Sequence, residues 1–284
     1  MLCRMARTTP KAVALGAELR AARDRSGLTL RELAKRLGVD HSALSRAESG
    51  DRPPAPEMVA AILAKLGVTG GEFDRIVGMS GDSDDSVWVA VSIPDLQSQL
   101  SALLSFEQLA TTITDVSPLL IPGLLQTGGY TRAIMRAGNV PRQEVELRVA
   151  TRLGRRDVLV RPDAARFTAF IGVAALRGGI GGRAVMAEQL EYLLKAAEWP
   201  NISLHAIPES AGWHPALEGG FMVLDTEAMS VVHVENRRSG LFYQDDADIA
   251  AYQEAVAQVR GVALDRGETI RVIAREVGEI EEAS

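Results

Sequence analysis

The sequence is poor in cysteine, histidine and long apolar runs. Its 284 residues include one cysteine, Cys3, so no internal disulfide can form and nothing favours an oxidising compartment. No segment approaches the roughly 18 apolar residues of a membrane span, and the basic N-terminus lacks the apolar stretch of a signal peptide. The four histidines show no recognised metal-ligand spacing. The sequence therefore predicts a cytoplasmic protein with no membrane segment, no metal and no cofactor.

Signatures of catalysis are also scarce. The glycine-rich segment 178–183 lacks the lysine and hydroxyl residue that complete a phosphate-binding loop, and no nucleophile elbow surrounds Ser210. His233 and Glu235 share one face of a predicted strand, where a structural pair is the simpler interpretation. The chain is predicted not to be an enzyme. The enzymatic alternative requires a pocket that holds His214 or His233 with a perturbed titration.

The charges that are present divide unequally along the chain. The net charge is −6, but residues 1–78 carry 13 basic and 9 acidic side chains, whereas residues 79–284 carry 18 basic and 28 acidic. A composition of 46% hydrophobic residues is sufficient for more than one core. We therefore expect two domains that face different partners, with the basic one suited to an acidic partner.

Apolar periodicity gives the expected organisation. Residues 12–78 are helical throughout and predict five short helices, and the small, acidic segment after them resembles a solvated linker. The predicted domains are a helical domain at 1–78, a linker at 79–87 and an α+β domain at 88–284. In the second domain, helices are predicted at 95–114, 127–137, 141–160, 183–198 and 247–266, and strands at 166–171, 202–207, 220–224 and 230–235. The short connection 225–229 predicts a hairpin, so the sheet should be partly antiparallel.

The most informative segment is 28–50. Thr29 followed by Glu32 forms the pattern of a capping box, which starts a helix at Leu30. Gly38 can adopt the left-handed conformation that ends this helix, and Asp40 is a good N-cap for the next one. Two short helices joined by such a tight turn predict a helix-turn-helix.

The outward-facing polar residues of this segment predict binding to double-stranded DNA. A helix that enters the major groove needs short polar residues in its first turn and a longer donor one turn later, and Arg46 is predicted to contact guanine. The N-terminus of the first helix, with Arg31, and Arg52 beyond the second helix are predicted to contact phosphates. The alternative is an ordinary helical hairpin with a solvated polar face. The predicted DNA-binding residues are Thr29, Arg31, His41, Ser42, Ser45, Arg46 and Arg52.

Residues 16–68 resemble the Cro and repressor-type helix-turn-helix of the xenobiotic-response-element (XRE) family. The resemblance rests on Leu19-Arg20-Ala21-Ala22-Arg23, Leu33-Ala34, Gly38-Val39, Leu44-Ser45-Arg46-Ala47-Glu48-Ser49-Gly50 and Leu63-Ala64-Lys65-Leu66-Gly67-Val68. It implies a structural ion pair between Arg23 and Glu48. The sequence departs from the family at Leu30, where many members carry a glutamine or serine that holds a phosphate.

The C-terminal region resembles the domain attached to this module in actinobacterial regulators of the WhiJ-like group. The resemblance rests on Phe106–Ala110, the segment 116–130, arginines between 148 and 156, Gln189-Leu190, Ile207-Pro208 and 232–235. It implies a domain that receives a small partner protein or a small-molecule effector. Physically, 122–127 predicts a turn and a capped helix, either as a fixed structural corner or as a ligand-facing loop. The residues predicted to contact a partner or effector are Gln126, Tyr130, Arg148, Arg152, Arg155 and Arg156.

These observations together predict a sequence-specific DNA-binding transcriptional regulator. It should be homodimeric, because one such helix reads only a few base pairs and paired half-sites supply the rest. The alternative function is an antitoxin-like interaction module whose main task is to bind a small partner protein.

Overall fold

The computed structural model describes residues 8–80, 87–90, 93–237 and 239–282. The chain divides into two compact units, each built from two stretches of sequence. Unit 1 comprises Met1–Leu109 and Thr226–Ile249, and unit 2 comprises Ala110–Asp225 and Ala250–Ser284. The domain boundaries inferred from the sequence remain a prediction, and residues 81–86 of the predicted linker lie outside the described residues.

Helices and short strands alternate along the described ranges. The helices are α1 (Pro10–Arg25), α2 (Leu30–Leu37), α3 (His41–Ser49), α4 (Pro56–Lys65), α5 (Gly70–Gly78), α6 (Ile93–Leu109), α7 (Gly128–Ala137), α8 (Arg142–Gly154), α9 (Asp157–Val160), α10 (Val173–Arg177), α11 (Arg183–Ala197), α12 (Asp246–Val262) and α13 (Arg266–Glu282). The strands are β1 (Val87–Ala90), β2 (Ala110–Ser117), β3 (Arg166–Gly172), β4 (Ile202–Ile207), β5 (Phe221–Thr226), β6 (Ser230–Glu235) and β7 (Gly240–Tyr243).

The predicted five-helix N-terminal region is confirmed, and α1 lies at its centre. Thr9 caps this helix by accepting a hydrogen bond from the Ala12 amide at 3.1 Å, and Pro10 occupies the first turn, where no amide donor is needed. Apolar residues surround most of α1, including Val13, Leu15 and Leu19, which are at most 4% exposed. A helix that is apolar on most sides must be covered on most sides, and α1 contacts α3, α4 and α6 within unit 1.

The predicted α+β architecture with a partly antiparallel sheet is also confirmed. Seven strands form a mixed sheet in the order β1-β7-β6-β5-β2-β3-β4. In unit 1, β7 pairs antiparallel with both β1 and β6, with Trp88 opposite Phe242 and His233 opposite Phe242. In unit 2, β3 lies parallel between β2 and β4, with Ile113 opposite Phe167 and Phe167 opposite Ile202. The buried residues of this parallel part include Ile113, Phe167 and Phe170, each at most 1% exposed.

The outer edge of β4 is covered by the connection between α12 and α13 and by the start of α13. The Leu264 amide donates to the Ala206 carbonyl at 2.8 Å, and the Ala206 amide donates to the Thr269 hydroxyl at 2.8 Å. These bonds satisfy backbone groups that an edge strand would otherwise present to other chains. The C-terminal helices therefore protect this edge of the parallel strands.

Several predicted elements have different bounds. The helix expected at 95–114 ends at Leu109, and 110–117 form β2 because threonine, isoleucine and valine favour the extended conformation. The helix expected at 141–160 is interrupted after Gly154, and the one expected at 247–266 ends at Val262. The strands β1 and β7, each four residues long, were not predicted from the sequence. The helix α13, which begins at Arg266, was not predicted either.

Candidate nucleic-acid interface

The helices α2 and α3 meet at a tight bend with local hydrogen bonds at each end. The Thr29 amide donates to Glu32 at 2.8 Å while the Glu32 amide donates to the Thr29 hydroxyl at 3.3 Å, which completes the capping box. Gly38 ends α2 with φ 70°, in the left-handed region where glycine is free of steric strain. The Asp40 carboxylate then accepts from the Ser42 amide at 2.7 Å and starts α3. Thr29 therefore sets the start of α2, Gly38 sets its end, and Asp40 sets the start of α3.

These caps depend on ionised carboxylates. The hydrogen bonds from the Ser42 side chain and backbone hold the pKa of Asp40 below its usual value, and those from Thr29 do the same for the pKa of Glu32. A carboxylate at a helix N-terminus is also favoured by the helix dipole. Both start signals are therefore present at neutral pH.

The helix α3 has one buried and one exposed face. Leu44 and Ala47 are 3% and 5% exposed and pack into unit 1. The four residues predicted to reach base edges are all exposed on the opposite side: His41, Ser42, Ser45 and Arg46. The structure brings them together as a polar face, which we call the α3 face. One of its hydroxyls is already engaged, because Ser42 donates to Asp40 within the cap.

The residues predicted to contact phosphates flank the α3 face. Thr29 and Arg31 are exposed at the N-terminus of α2, although the Thr29 hydroxyl also donates to Glu32 at 2.7 Å. Arg52 is exposed just beyond α3, and its amide donates to the Arg46 carbonyl at 3.1 Å. This bond ties the backbone of Arg52 to the end of α3. The three side chains are thus placed before and after the α3 face.

An ion pair fixes the C-terminal half of α3. Arg23 donates from Nε and Nη2 to the two carboxylate oxygens of Glu48 at 2.7 and 2.9 Å, and from Nη1 to the Leu28 carbonyl at 2.9 Å. The side chains of Arg23 and Glu48 are only 12% and 8% exposed, and the pair holds the pKa of Arg23 above its usual value. A bidentate, largely buried guanidinium–carboxylate pair is strongly oriented. It links the end of α1, the α1–α2 loop and α3.

Two glycines allow α1 to approach α3 closely, and sequence reasoning did not identify either role. A Cβ on Gly16 would lie 2.6 Å from the Glu48 carbonyl oxygen, and one on Gly50 would lie 2.7 Å from the Cα of Val13. Gly50 also has φ 78°, which ends α3 in the left-handed conformation. A glycine inside an otherwise apolar helical pattern is a signal that could have indicated the close approach at Gly16.

A second ion pair connects α1 to α5 and α6. Glu18 is 9% exposed and accepts from Arg75 at 2.9 and 3.1 Å and from the Ser101 hydroxyl at 3.3 Å. The pair with Glu18 raises the pKa of Arg75. The helix that supports α3 is therefore bonded to α6 as well as to the five-helix region.

In unit 2, the residues predicted to meet a partner or effector fall into two groups. Gln126 is 2% exposed and donates to the Ile121 carbonyl at 2.8 Å. Tyr130 is fully buried, and its hydroxyl oxygen accepts from the Ile121 amide at 3.3 Å. Burial raises the pKa of the Tyr130 phenol. The structure places both residues inside the unit, where they hold the 121–127 segment.

The four predicted arginines lie in two different environments. Arg152 contacts the Gln126 side chain at 3.3 Å, Arg156 donates to the Gln126 carbonyl at 2.5 Å, and the Arg155 guanidinium lies beside Gly123. Arg148 instead is exposed and pairs with Glu144 at 2.7 Å, one turn earlier on α8. Three of the arginines therefore lie against segment 123–126, which supports the interpretation of this segment as a structural corner.

The buried amide of Gln189 completes that corner. It accepts from the Thr127 amide at 2.7 Å and donates to the Leu125 carbonyl at 2.8 Å, while Thr127 caps α7 by accepting from the Tyr130 amide at 3.3 Å. Every backbone group bonded here is buried, and a buried amide without a partner is unfavourable. The side chain of Gln189 therefore satisfies two buried backbone groups of this segment, the Thr127 amide and the Leu125 carbonyl.

The two histidines weighed for an enzymatic role, His214 and His233, are both buried. His233 is 8% exposed and packs against Phe242 with ring centroids 4.6 Å apart, and His214 is 6% exposed. Within the described ranges, no group of three or more histidine, cysteine, aspartate or glutamate side chains could hold a metal ion. Among the helices that the structure describes, none is both long enough and apolar enough to cross a membrane.

The geometry of α2, the bend and α3 defines a helix-turn-helix domain, the module of DNA-binding regulators. The family model described as a helix-turn-helix domain matches residues 14–76. A second model, described as a domain of unknown function (DUF5753), matches residues 100–275. The chain belongs to the DUF5753 family, because this match covers more than half of its length. No curated protein and no solved structure matches the chain.

Proposed function

We propose that the protein is a sequence-specific transcriptional regulator of the XRE type, which acts in the cytoplasm as a homodimer on double-stranded DNA. In this proposal α3 enters the major groove, Arg46 contacts guanine, and Arg31 and Arg52 contact phosphates. The DUF5753 region, proposed to be WhiJ-like, modulates binding through a small partner protein or a ligand. No enzymatic step is assigned to either unit.

The observation that carries the proposal is the exposure of the whole α3 face. Its four polar side chains are exposed while Leu44 and Ala47 on the opposite face are buried, so the helix is anchored without using the residues that would read bases. The Arg46 side chain lies one turn beyond His41 and Ser42, which is the spacing required when the N-terminal end of a helix approaches base edges. The flanking cations can meet the two sides of a groove.

The two arginines should respond differently to substitution. Removing a bidentate base contact costs about 1–3 kcal/mol at the cognate site and relaxes preference at one position, whereas removing a phosphate contact weakens all sequences and lowers the salt slope by about one. Arg46→Ala is therefore expected to lose specificity, and Arg52→Ala is expected to lose affinity uniformly.

The test is selection of bound sequences from a random duplex pool, followed by titrations of the selected and scrambled duplexes at several salt concentrations. Arg271→Ala is the matched control, since it removes one exposed positive charge from α13. If Arg46→Ala and Arg52→Ala weaken every duplex to the same extent, the assigned roles are wrong. If the full-length chain selects no sequence but copurifies in fixed ratio with a small protein, the antitoxin-like alternative replaces the proposal.

A further inference from the structure

A cavity of about 740 Å³ opens beside the loop that joins α7 to α8 in unit 2. Its volume lies within the range of about 300–1,000 Å³ that small-molecule sites occupy. We call it the α7–α8 cavity, and sequence reasoning did not identify it. Its lining comes from the end of α7, the loop and the start of α8, and includes Arg136, Asn139, Val140, Arg142, Val145 and Glu146.

Two arginines of this lining differ from their neighbour Arg132. The Arg132 side chain, on α7, pairs with Glu146 at 2.7 Å. Arg136 and Arg142 are exposed, and within the described residues neither guanidinium makes a hydrogen bond or an ion pair. Two guanidinium groups with unused donors therefore line one cavity, and each can bind an anion through two parallel hydrogen bonds.

The carboxylate of Glu146, which also lines the cavity, is already balanced by a countercharge. It accepts from Nε and Nη2 of Arg132 at 2.7 and 2.8 Å. These hydrogen bonds, with a smaller contribution from the charge of Arg136, hold the pKa of Glu146 below its usual value. Because Arg132 compensates Glu146, the charges of Arg136 and Arg142 give the cavity a positive potential that attracts anions.

The backbone around the cavity adds to this potential. The Asn139 amide donates to the Arg136 carbonyl at 3.1 Å, and the Val140 amide donates to the Met135 carbonyl at 3.0 Å. These bonds satisfy carbonyls at the end of α7 that would otherwise repel an anion. Pro141 precedes α8 and provides no side-chain cap for its first amides. The positive end of the α8 dipole therefore acts together with the two guanidinium groups.

We propose that the α7–α8 cavity binds a small molecule that carries a phosphate monoester, with Arg136 and Arg142 as the residues that hold the phosphate. A phosphate monoester has a charge of about −1.5 to −2 at pH 7 and three terminal oxygens. It therefore matches two guanidinium groups better than the single charge and two oxygens of a carboxylate. Val140 and Val145, the latter 3% exposed, give the cavity an apolar wall for the rest of the molecule. Binding at this site does not depend on the proposed function, and only a role of the molecule as the effector rests on it.

The test is an NMR titration of the full-length chain, labelled with nitrogen-15, with phenyl phosphate in the absence of DNA. Phenyl phosphate joins the phosphate to a small apolar ring. We expect saturable amide shifts concentrated in residues 136–146, with a dissociation constant of about 1 mM or lower. Arg136→Gln and Arg142→Gln should each weaken binding by about ten-fold or more, because each removes charge-assisted hydrogen bonds to the phosphate.

Arg148→Gln is the matched control. Arg148 is exposed on α8, pairs with Glu144 at 2.7 Å and is not among the lining residues, so its loss should leave the affinity for phenyl phosphate unchanged. The variants of Arg136 and Arg142 should unfold at the wild-type temperature. A variant that unfolds at a lower temperature is replaced by Arg136→Lys or Arg142→Lys, which keeps the charge but should bind more weakly than the wild type because it lacks the planar guanidinium.

Several results would overturn the proposal. One is the absence of saturable shifts up to about 10 mM phenyl phosphate, and another is shifts confined to α2 and α3. Equal weakening by Arg148→Gln would overturn it as well. So would benzoate or inorganic phosphate binding as tightly as phenyl phosphate, because the first lacks the phosphate and the second lacks the apolar group.

Duplex titrations of the same chain separate these outcomes from failure of the proposed function. If phenyl phosphate binds in the α7–α8 cavity but no duplex sequence is selected, the site stands and the DNA-binding role fails. If a duplex is selected but phenyl phosphate does not bind, the regulator stands and the phosphate site fails.

Discussion

Replacement of Gly16 by alanine tests how closely α1 and α3 must approach. The added Cβ would lie 2.6 Å from the Glu48 carbonyl oxygen and 2.8 Å from that of Ala47, both on the backbone of α3. Non-bonded heavy atoms pack without repulsion at about 3.5 Å, so the two helices must separate by roughly 0.5 Å or more. Because the atoms in the way belong to backbone, no rotamer change of a side chain can relieve the contact.

Two opposing contributions determine how much Gly16→Ala changes the free energy of unfolding. Alanine is favoured over glycine inside a helix by about 0.8–1 kcal/mol, whereas overpacking a well-packed site costs about 1–3 kcal/mol. Gly16→Ala is therefore expected to destabilise unit 1 by up to about 2 kcal/mol, despite the better helix former. It should also weaken DNA binding, because α3 carries the predicted contacts.

Gly71→Ala is the matched control. Gly71 lies in α5 with no atom within 4 Å of the position of its Cβ, so the propensity term acts alone and the variant is expected to be as stable as the wild type or more so. Urea unfolding and DNA titration of both variants provide the comparison. Equal stabilisation by the two substitutions, with unchanged DNA affinity, would refute the inferred close approach.

Further predictions concern the ion pair, the corner in unit 2 and the helix caps. Glu48→Gln should destabilise the chain by roughly 2–3 kcal/mol in urea unfolding, because the largely buried Arg23 then keeps only the exposed carboxylate of Asp24, 2.7 Å away, as a countercharge. A change under about half a kcal/mol would contradict this. Gln189→Leu should destabilise it by about 2–4 kcal/mol, because two buried backbone groups lose their partner. A stability equal to that of the wild type would show that these two hydrogen bonds do not stabilise segment 125–127. The pKa values of Asp40 and Glu32 are lowered by folding from 3.8 and 4.5, so their stabilisation is complete above about pH 4.5 and is lost as the pH falls through the lower folded-state values. Asp40→Asn, which can still cap α3, should therefore show a weaker loss of thermal stability below pH 4.5 than the wild type, and identical pH profiles would contradict the assignment.

The helix-turn-helix was predictable because its signals are local. A capping box, a left-handed glycine and an N-cap each act within four residues, so Thr29, Gly38 and Asp40 fix the bounds of α2 and α3 without reference to the rest of the chain. The exposure of Arg46 opposite the buried Leu44 follows from helical periodicity alone.

The elements that sequence reasoning missed depend on distant partners or on signals that were passed over. The strands β1 and β7 have four residues each and are defined by pairing: β1 pairs with β7, as Trp88 opposite Phe242 illustrates, and β7 also pairs with β6. In contrast, α13 has a local start signal, because Asp265 and Glu268 exchange hydrogen bonds in a reciprocal cap. That pattern could have been found from the sequence.

The roles of the arginines near 150 could not be deduced from their spacing. The helix α8 ends at Gly154, and the guanidinium groups of Arg155 and Arg156 then turn toward Gly123 and Gln126. The position of Gln189 in the same network is set by the packing of α11, 62 residues away from Thr127 in sequence. Hydrogen bonds between groups so far apart in sequence leave no periodic pattern that could be recognised locally.

The most direct test of the account is chemical protection of guanine N7 on a selected duplex, because this atom lies in the major groove. The wild-type chain should protect guanines in two half-sites about one helical turn apart. Arg46→Ala should lose protection at one guanine in each half-site and keep the others, while Arg271→Ala should match the wild type. Protection that is unchanged in Arg46→Ala, or absent from the major groove at saturating wild-type protein, would contradict the placement of α3 in that groove.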